Sequence, residues 1–380
     1  MKIKLLYAIG SNCGGSLKNV TDLATHLDQD NFEISIILPN SKQVLETQIA
    51  VSRIKKKQIN IKYIYIPKTI SPIDIISLVE IYLYLKKNKF DIVHAHSSKA
   101  GALFRVAAFF AKVPIIIYTP HCFYFTAFKG YKRIFYQLLE RFLVQFTHQT
   151  VISGTEEKAA IKCNAIKEKI SIIDNALDTS EYDRTIPSDA MRQYWKIPSN
   201  HIIIVGVGRL VEQKNWDMFM KAAQIVLSKN KEITFIIAGD GPLKNRLNKQ
   251  IIQYGLESQV KLIGYIENIS MIYAIADIFV STSKWEGLPY TYLEALYFNI
   301  PMIITSTDGI EYFAKKSNCT CVPQEDSNYL ANTILERISL LSIKLSANED
   351  YPFPLIDCIE QYEKLYHKLY HSSNKMENLL

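Results

Sequence analysis

The sequence has few cysteines, and none of them stands at the spacing of a zinc site. Six cysteines are scattered over 380 residues, a pattern that favours reduced thiols over a disulfide framework. No uninterrupted apolar run is long enough to span a bilayer. The first residues, Met1–Ile9, begin like a strand and lack the length and cleavage site of a signal peptide. These absences predict a cytoplasmic protein without a transmembrane segment.

The dinucleotide fingerprint G-x-G-x-x-G is also missing from the first strand-to-helix turn. That turn instead ends in the pair Gly14 and Gly15, and no acidic residue follows it as a ribose clamp for NAD. Paired glycines let a ligand approach the backbone closely. The alternative interpretation is that they only make the turn.

The composition is that of a globular protein with a moderate excess of positive charge. Hydrophobic residues make up 48% and charged residues 21%, which excludes a disordered chain. The length is sufficient for two domains. The net charge of +7 fits an anionic ligand or membrane surface and does not by itself indicate nucleic acid.

Short apolar runs alternate with amphipathic runs along both halves of the sequence. Runs such as Ile3–Ile9 and Ile233–Ala238 read as strands, and helical patterns lie between them. This alternation predicts an α/β fold with parallel sheets covered on both faces. The polar segment Asn175–His201 is the predicted linker. The pattern of Cys358–Tyr370 predicts a closing helix, followed by a frayed end from Ser372.

The segment Phe279–Leu296 reads as a buried strand, a polar loop and a helix. We expect Pro289 to open that helix, because proline is tolerated at the first helical position. Glu286, Gly287 and Leu288 then precede the positive end of a helix dipole, where backbone N–H groups can hold a phosphate.

Two carboxylates, Glu286 and Glu294, frame this predicted phosphate site. At neutral pH a carboxylate accepts hydrogen bonds only, which suits the hydroxyls of a sugar or ribose. A phosphate site between two hydroxyl acceptors predicts a nucleotide sugar. The alternative is an ordinary α/β crossover with glutamates on a helix surface.

Two cations follow the first strand of the second half. Arg209 and Lys214 come after Gly208 and before a helix. Arginine can bind two phosphate oxygens at once, while lysine acts as a point charge. The pair therefore suits a diphosphate, with two solvated surface cations as the alternative.

Two further strand ends in the second half offer backbone groups to a nucleotide. Gly239 and Gly241 make a tight turn after one strand, and Tyr265 and Ile266 follow the next. Backbone N–H and C=O groups at such a position can read the edge of a base, and uracil is the smallest such base.

Three histidines lie at predicted strand ends in the first half: His94, His96 and His121. Ligands of open α/β sheets bind at the carboxyl ends of strands, which makes His121 a candidate site residue. A lone histidine is more often a satisfied structural residue. No carboxylate or thiol accompanies His94 and His96, so no metal site is predicted.

Residues 123–146 interleave aromatic and basic side chains. An interfacial helix uses this combination at anionic lipid. The alternative is a core helix with a solvated basic face.

Taken in order, these segments resemble the retaining glycosyltransferases of family 4, which have the GT-B fold. The resemblance rests on Gly208–Lys214, Ala238–Pro242 and the E-x7-E signature from Glu286 to Glu294. Tyr118–His121 and the segment from His94 resemble the subset that builds capsule, O-antigen and other bacterial surface polysaccharides.

The resemblance implies two Rossmann-like, doubly wound domains that face each other across a cleft. It implies an acceptor-binding domain at 1–180 and a nucleotide-sugar-binding domain at 181–355, completed by the closing helix and tail at 356–380. No D-x-D motif accompanies the matching segments, which agrees with a family that needs neither metal nor cofactor.

The resemblance also assigns roles to individual residues. It implies that Arg209 and Lys214 hold the donor diphosphate, that Glu286 binds hydroxyls of the donor sugar, and that His121 lies near the reacting face of that sugar. Further donor-binding positions follow from the same resemblance: Gly14, Gly15, Gly208, Gly239, Gly241, Tyr265, Ile266, Gly287, Leu288 and Glu294, the last of these on the ribose hydroxyls.

The function implied is transfer of a hexose or N-acetylhexosamine, with an α-linkage, from a nucleotide sugar to a polyprenyl-diphosphate-linked glycan. A UDP-sugar is the expected donor. An anionic membrane, contacted through residues 123–146, is the expected surface, on the inner face of the cytoplasmic membrane. The alternatives are a non-hydrolysing UDP-sugar 2-epimerase and a two-domain sugar-binding protein.

Overall fold

The computed structural model describes residues 2–41, 44–67, 69–163, 166–317, 319–341 and 351–377. Backbone contacts divide the chain into two units. Unit 1 combines Met1–Asn175 with Leu355–Leu380, and unit 2 is Ala176–Pro354. Each unit has one parallel sheet with helices packed against it, so the predicted α/β class with two doubly wound domains is confirmed. The functional division at 180 and 355 stays a prediction.

Both sheets are parallel throughout their described strands. The sheet of unit 1 has the order β3-β2-β1-β4-β5-β6-β7 and that of unit 2 the order β10-β9-β8-β11-β12-β13. The strands are β1 (Ile3–Ile9), β2 (Phe32–Pro39), β3 (Asn60–Ile64), β4 (Ile92–His96), β5 (Ile115–Thr119), β6 (Gln149–Ile152), β7 (Ile170–Ile172), β8 (Ile202–Val207), β9 (Ile233–Ala238), β10 (Val260–Gly264), β11 (Ile278–Ser281), β12 (Met302–Thr305) and β13 (Cys319–Val322).

Helices connect the strands, as the βαβ pattern of a parallel sheet requires. They are α1 (Gly15–His26), α2 (Leu45–Lys56), α3 (Ile73–Asn88), α4 (Ser98–Ala111), α5 (Gly130–Leu143), α6 (Glu157–Lys162), α7 (Ser188–Tyr194), α8 (Trp216–Lys229), α9 (Lys244–Gln253), α10 (Ser270–Tyr273), α11 (Tyr290–Tyr297), α12 (Ile310–Ala314), α13 (Ser327–Ser339) and α14 (Leu355–Glu377).

The central strands are apolar on both faces because both faces are covered. In β9, Phe235 and Ile237 pack into one core layer of unit 2, while Ile236 and Ala238 pack into the layer on the other face. Successive side chains of a strand point to opposite faces, so a continuous apolar run supplies both layers.

Helix α14 belongs to unit 1 although it ends the chain. The hydroxyl of Tyr366 lies 2.9 Å from the hydroxyl of Tyr7 and 2.7 Å from Nδ1 of His94, so it joins α14 to β1 and β4. The predicted closing helix is therefore present. The prediction of a frayed end from Ser372 was wrong for 372–377, which continue the helix, and 378–380 lie outside the described residues.

No helix in the described part of the chain combines the length and the apolar character needed to cross a bilayer. All six cysteines, each of them described, are free thiols, as the sequence predicted.

Candidate functional site

Four neighbouring strands of unit 2 end at the same edge of the sheet, where most of its predicted site residues follow them. Backbone hydrogen bonds join these ends directly. The N–H of Gly208 donates to the carbonyl of Ala238 at 2.9 Å, and the N–H of Gly239 donates to the carbonyl of Gly264 at 2.7 Å. The carboxyl ends of β8, β9, β10 and β11 therefore form one continuous edge, the usual ligand position in such sheets.

Gly239 is required by the close packing of two of these strand ends. A Cβ atom built there would lie 1.9 Å from the carbonyl oxygen of Gly208, and the φ angle of Gly239 is +149°. Neither the space nor the backbone conformation suits another residue. The turn that the sequence placed after this strand thus brings the backbone of β9 against that of β8.

Lys214 and Glu286 form a nearly buried ion pair at this edge. Nζ of Lys214 donates to Oε1 of Glu286 at 2.6 Å, and the two side chains are 12% and 8% exposed. Gln213 supports the pair, because its Nε2 donates to the carbonyl of Trp285 at 2.9 Å. The structure therefore brings together Lys214, which the resemblance assigned to the donor diphosphate, and Glu286, which it assigned to the donor sugar.

Arg209 is the accessible cation beside this pair. Its side chain is exposed and makes no hydrogen bond or ion pair with any residue in the described ranges. Its backbone is fixed, since Nε1 of Trp216 donates to the Arg209 carbonyl at 3.0 Å. A guanidinium on a fixed backbone, with its donors unoccupied, suits an anionic oxygen.

Helix α11 begins at Tyr290, one residue later than the sequence predicted. Pro289 has an extended backbone, with ψ of 143°, and occupies the N-cap position. The expectation that Pro289 opens the helix was therefore wrong. Gly287 and Leu288 are buried immediately before this N-terminus, which leaves their predicted place near the positive end of the dipole unchanged.

Glu294 lies in the second turn of α11 and is 8% exposed. Its Oε1 accepts a hydrogen bond from the hydroxyl of Tyr182, and its Oε2 accepts one from the hydroxyl of Tyr273, both at 2.9 Å. Burial, and after it the neighbouring carboxylate, raises the pKa of both tyrosines, which keeps them as donors. The predicted contact of Glu294 with ribose stays a prediction.

The remaining predicted positions of unit 2 lie along the same edge. Gly241 follows Asp240, whose carbonyl accepts from the N–H of Leu210 at 2.9 Å. Tyr265 is 39% exposed and Ile266 is half-buried. The base-binding role of Tyr265 and Ile266 stays a prediction.

In unit 1, the glycine pair begins helix α1. The N–H of Gly14 donates to Oε2 of Glu46 at 2.6 Å, and Gly14 has φ of +77°. Helix α1 starts at Gly15. Sequence reasoning missed Glu46, which lies on α2, a helix that the alternation of patterns did not indicate.

His94 has a structural role in the described part of unit 1. It is fully buried, and its Nε2 lies 2.8 Å from the hydroxyl of Thr119, while its Nδ1 faces Tyr366. Burial holds the pKa of His94 well below its usual range, so the ring is neutral. The satisfied core histidine, one of the two alternatives at the sequence level, is what the structure shows.

His96 and His121 form a histidine pair at the carboxyl ends of β4 and β5. Nδ1 of His96 lies 3.0 Å from Nε2 of His121, and the rings stack with centroids 5.2 Å apart. Burial lowers the pKa of His121 to about 4 and holds that of His96 well below its usual range. Both rings are therefore neutral at pH 7, able to make hydrogen bonds without contributing charge.

Comparison with known families accounts for most of the chain. Residues 13–181 match the model described as "Glycosyltransferase Family 4", and residues 187–344 match "Glycosyl transferases group 1". The chain is thus a glycosyltransferase in which a family 4 domain precedes a group 1 domain.

Two curated relatives of this glycosyltransferase have names that state a reaction or a pathway. The UDP-Gal:alpha-D-GlcNAc-diphosphoundecaprenol alpha-1,3-galactosyltransferase of Escherichia coli is 35% identical over 62% of this chain and 63% of its own length. The capsular polysaccharide biosynthesis glycosyltransferase CapM of Staphylococcus aureus is 25% identical over 62% of this chain and 64% of its own. The matched region thus spans a little under two thirds of either relative.

Solved structures share the fold along nearly the whole chain. HepE of Anabaena in complex with UDP-glucose has a TM-score of 0.79 at 19% identity and covers 96% of this chain and 100% of its own. WaaG, a glycosyltransferase of lipopolysaccharide biosynthesis, has a TM-score of 0.68 at 14% identity, over 93% and 98%. These similarities establish the two-domain fold of the glycosyltransferase.

The packing at Gly239 generates a prediction about stability. We expect Gly239→Ala to lower the free energy of unfolding of unit 2 by at least about 2 kcal/mol, since overpacking and a forbidden backbone conformation add together. Urea unfolding followed by tryptophan fluorescence measures this directly, because Trp195, Trp216 and Trp285 all lie in unit 2.

The matched control for this variant is Gly255→Ala. Gly255 also has a positive φ, +63°, but a Cβ there meets nothing within 4 Å. Gly255→Ala should lower the free energy of unfolding by about 1 kcal/mol, from the backbone conformation alone. Equal losses for both variants would show that the contact between β8 and β9 is not the constraint at Gly239.

Proposed function

We propose that this protein is a retaining glycosyltransferase of bacterial surface-polysaccharide synthesis. It transfers a hexose or N-acetylhexosamine from a UDP-sugar to a polyprenyl-diphosphate-linked glycan and forms an α-linkage. The observation that carries the proposal is the buried Lys214–Glu286 pair beside the exposed Arg209. This arrangement places two cations and a hydroxyl acceptor at one edge of one sheet.

The cations stabilise the charge that develops as the donor breaks down. When the bond from the anomeric carbon to the β-phosphate oxygen breaks, negative charge collects on the leaving diphosphate. Arg209 binds this charge directly, and Lys214 has further N–H donors besides the one directed at Glu286. Donors fixed in advance around a developing charge are usually the largest single contribution to catalysis. With these cations in place, we expect the reaction to proceed without a metal ion.

Glu286 orients the donor sugar through its hydroxyls. Its Oε1 is bound to Lys214 at 2.6 Å, and an ammonium this close makes the carboxylate a weaker nucleophile. The acceptor hydroxyl then attacks from the face that the phosphate leaves, and the departing phosphate takes its proton. The anomeric configuration is retained without a covalent intermediate, and a glycosyl adduct on Glu286 found by mass spectrometry would contradict this path.

The name of the Escherichia coli relative suggests the first substrates to test. That enzyme's name gives UDP-galactose as donor and a lipid-linked N-acetylglucosamine as acceptor. The equivalent pair for this protein is UDP-galactose with an undecaprenyl-diphosphate-linked N-acetylhexosamine. Neutral His121, with its ring held by His96, is the residue of unit 1 that we propose for contact with a sugar hydroxyl.

Helix α5 is the proposed contact with the membrane that carries such an acceptor. Its outward side chains include Tyr131, 79% exposed, Ile134, 59%, and Phe135, 54%. The sole acid of residues 123–146 is Glu140, and it is buried and paired with Arg105 at 2.7 Å. The exposed face of α5 therefore joins large apolar groups to uncompensated positive charge, which fits an anionic lipid surface.

A donor and acceptor panel tests the function. Purified protein is given UDP-galactose, UDP-glucose, UDP-N-acetylhexosamines and GDP-mannose, with and without an undecaprenyl-diphosphate N-acetylglucosamine acceptor. We expect nucleoside diphosphate release from one UDP-sugar only when acceptor is present, and a product whose anomeric coupling in NMR shows an α-linkage. Interconversion of donors without acceptor would establish the epimerase, and binding without turnover would establish a sugar-binding protein.

Arg209→Ala tests the role of the unpaired cation. We expect kcat to fall on the order of 10²–10³-fold, the usual effect of losing one donor to a developing oxyanion. The unfolding free energy should change by less than about 0.5 kcal/mol, because the side chain is exposed. Lys221→Ala, at an exposed lysine on α8, is the control and should retain full activity. A kcat for Arg209→Ala within threefold of the parent protein would contradict the role.

Vesicle sedimentation tests the membrane contact. We expect binding to vesicles rich in phosphatidylglycerol, weak binding to phosphatidylcholine, and loss of both in the double variant Ile134→Ser, Phe135→Ser. Ile252→Ser, at a side chain of unit 2 that is 65% exposed, is the matched control. If the double variant binds as well as the control, α5 is not the contact.

A further inference from the structure

The backbone at His121 is held in a conformation that non-glycine residues avoid. His121 has φ of +54° and Cys122, the next residue, has φ of +110°. Each such residue costs on the order of 1–3 kcal/mol and persists only where its surroundings hold it. Two in succession, directly after the end of β5, need a strong external restraint.

Glu156 supplies that restraint from a distant part of the sequence. Its Oε1 accepts a hydrogen bond from the N–H of Cys122 at 2.7 Å. Its Oε2 accepts from the N–H of Ser153 at 3.1 Å and from the Ser153 hydroxyl at 2.9 Å. The side chain is 5% exposed and lies 34 residues beyond Cys122, in the segment that follows β6.

Local capping explains the contacts of only one of the two carboxylate oxygens. Ser153 and Glu156 form a capping box around the short 3₁₀ turn Gly154–Glu156, and that motif uses a single acceptor oxygen, which glutamine provides equally well. The second oxygen of Glu156 binds Cys122. A carboxylate has two acceptor oxygens and an amide has one, so only Glu satisfies both backbone N–H donors at this position.

We propose that Glu156 is a positioning residue that holds the His121–Cys122 turn in its left-handed conformation and thereby fixes the His121 ring for a hydrogen bond to a sugar hydroxyl. The inference rests on the proposed function for the identity of what His121 meets. The turn fixes the His121 backbone, and His96 fixes one end of the ring through the contact between Nδ1 of His96 and Nε2 of His121. Nδ1 of His121, the other ring nitrogen, makes no hydrogen bond within the described residues, so it is available to a hydroxyl.

The variant Glu156→Gln removes one acceptor oxygen and changes little else. Either the N–H of Cys122 or the N–H of Ser153 then loses its hydrogen bond to residue 156. If the bond to Cys122 is lost, the strained turn can also relax. We expect kcat for transfer to fall on the order of 10²-fold, the cost of misplacing a reacting or binding group by about 1 Å. The affinity for UDP should stay unchanged, because the cations that bind it lie in unit 2.

Ser153→Ala is the matched control. It removes the hydroxyl hydrogen bond to Oε2 and weakens the same 3₁₀ turn, with a loss of Tm similar to that of Glu156→Gln, but it leaves the bond from Cys122 N–H to Oε1. Its kcat should stay within threefold of the parent protein. If it instead loses as much activity as Glu156→Gln, the effect is general instability and the proposal is overturned.

NMR chemical shifts test the conformation of the turn without an activity measurement. The ¹³Cα and ¹³Cβ chemical shifts of His121 and Cys122 report whether φ is positive, and we expect them to do so in the parent protein and in Ser153→Ala. In Glu156→Gln they should move to values of an extended backbone or broaden by exchange. Unchanged shifts in Glu156→Gln overturn the proposal. If no donor is turned over even by the parent protein, the proposed function fails, and these shifts still decide whether Glu156 holds the turn.

Discussion

The ion pair of Lys214 and Glu286 is the interaction on which the site of unit 2 depends. The two residues are 72 positions apart, one in the connection after β8 and one in the connection after β11. Both are nearly buried, and a buried charge is tolerated only with a partner. Removing either residue would leave the other uncompensated, a change that typically costs 3–5 kcal/mol. The pair thus fixes two strand connections relative to each other.

The two units differ in the kind of polar group that they place at the carboxyl edge of their sheets. Unit 2 presents charge, in Arg209 and Lys214. The histidines of unit 1 are neutral, because burial keeps the pKa values of His94, His96 and His121 low. Neutral rings suit the hydroxyls of a sugar, and fixed cations suit a diphosphate. A nucleotide sugar contains both kinds of group.

Support from outside the immediate site recurs in both units. Gln213 holds the backbone beside Glu286, Tyr182 and Tyr273 donate to Glu294, and Glu46 accepts from Gly14. Each of these contacts satisfies a group that would otherwise lack a partner in a poorly solvated place. A site assembled from several loops needs such contacts, since loops do not fix their own side chains as regular elements do.

The sequence by itself determined the fold class, the alternation of most strands with helices, and the positions of Arg209, Lys214, Glu286 and His121 at strand ends. These features follow from local patterns: apolar runs, glycines at turns and the fixed direction of parallel strands. The tertiary structure alone decided the pairing of Lys214 with Glu286 and the tyrosine donors of Glu294. It also decided the structural role of His94 and the hydrogen bond between Glu156 and the turn that carries His121. Those contacts join residues 21 to 272 positions apart, and no local pattern encodes a distance that arises only when separate strands come together in one sheet.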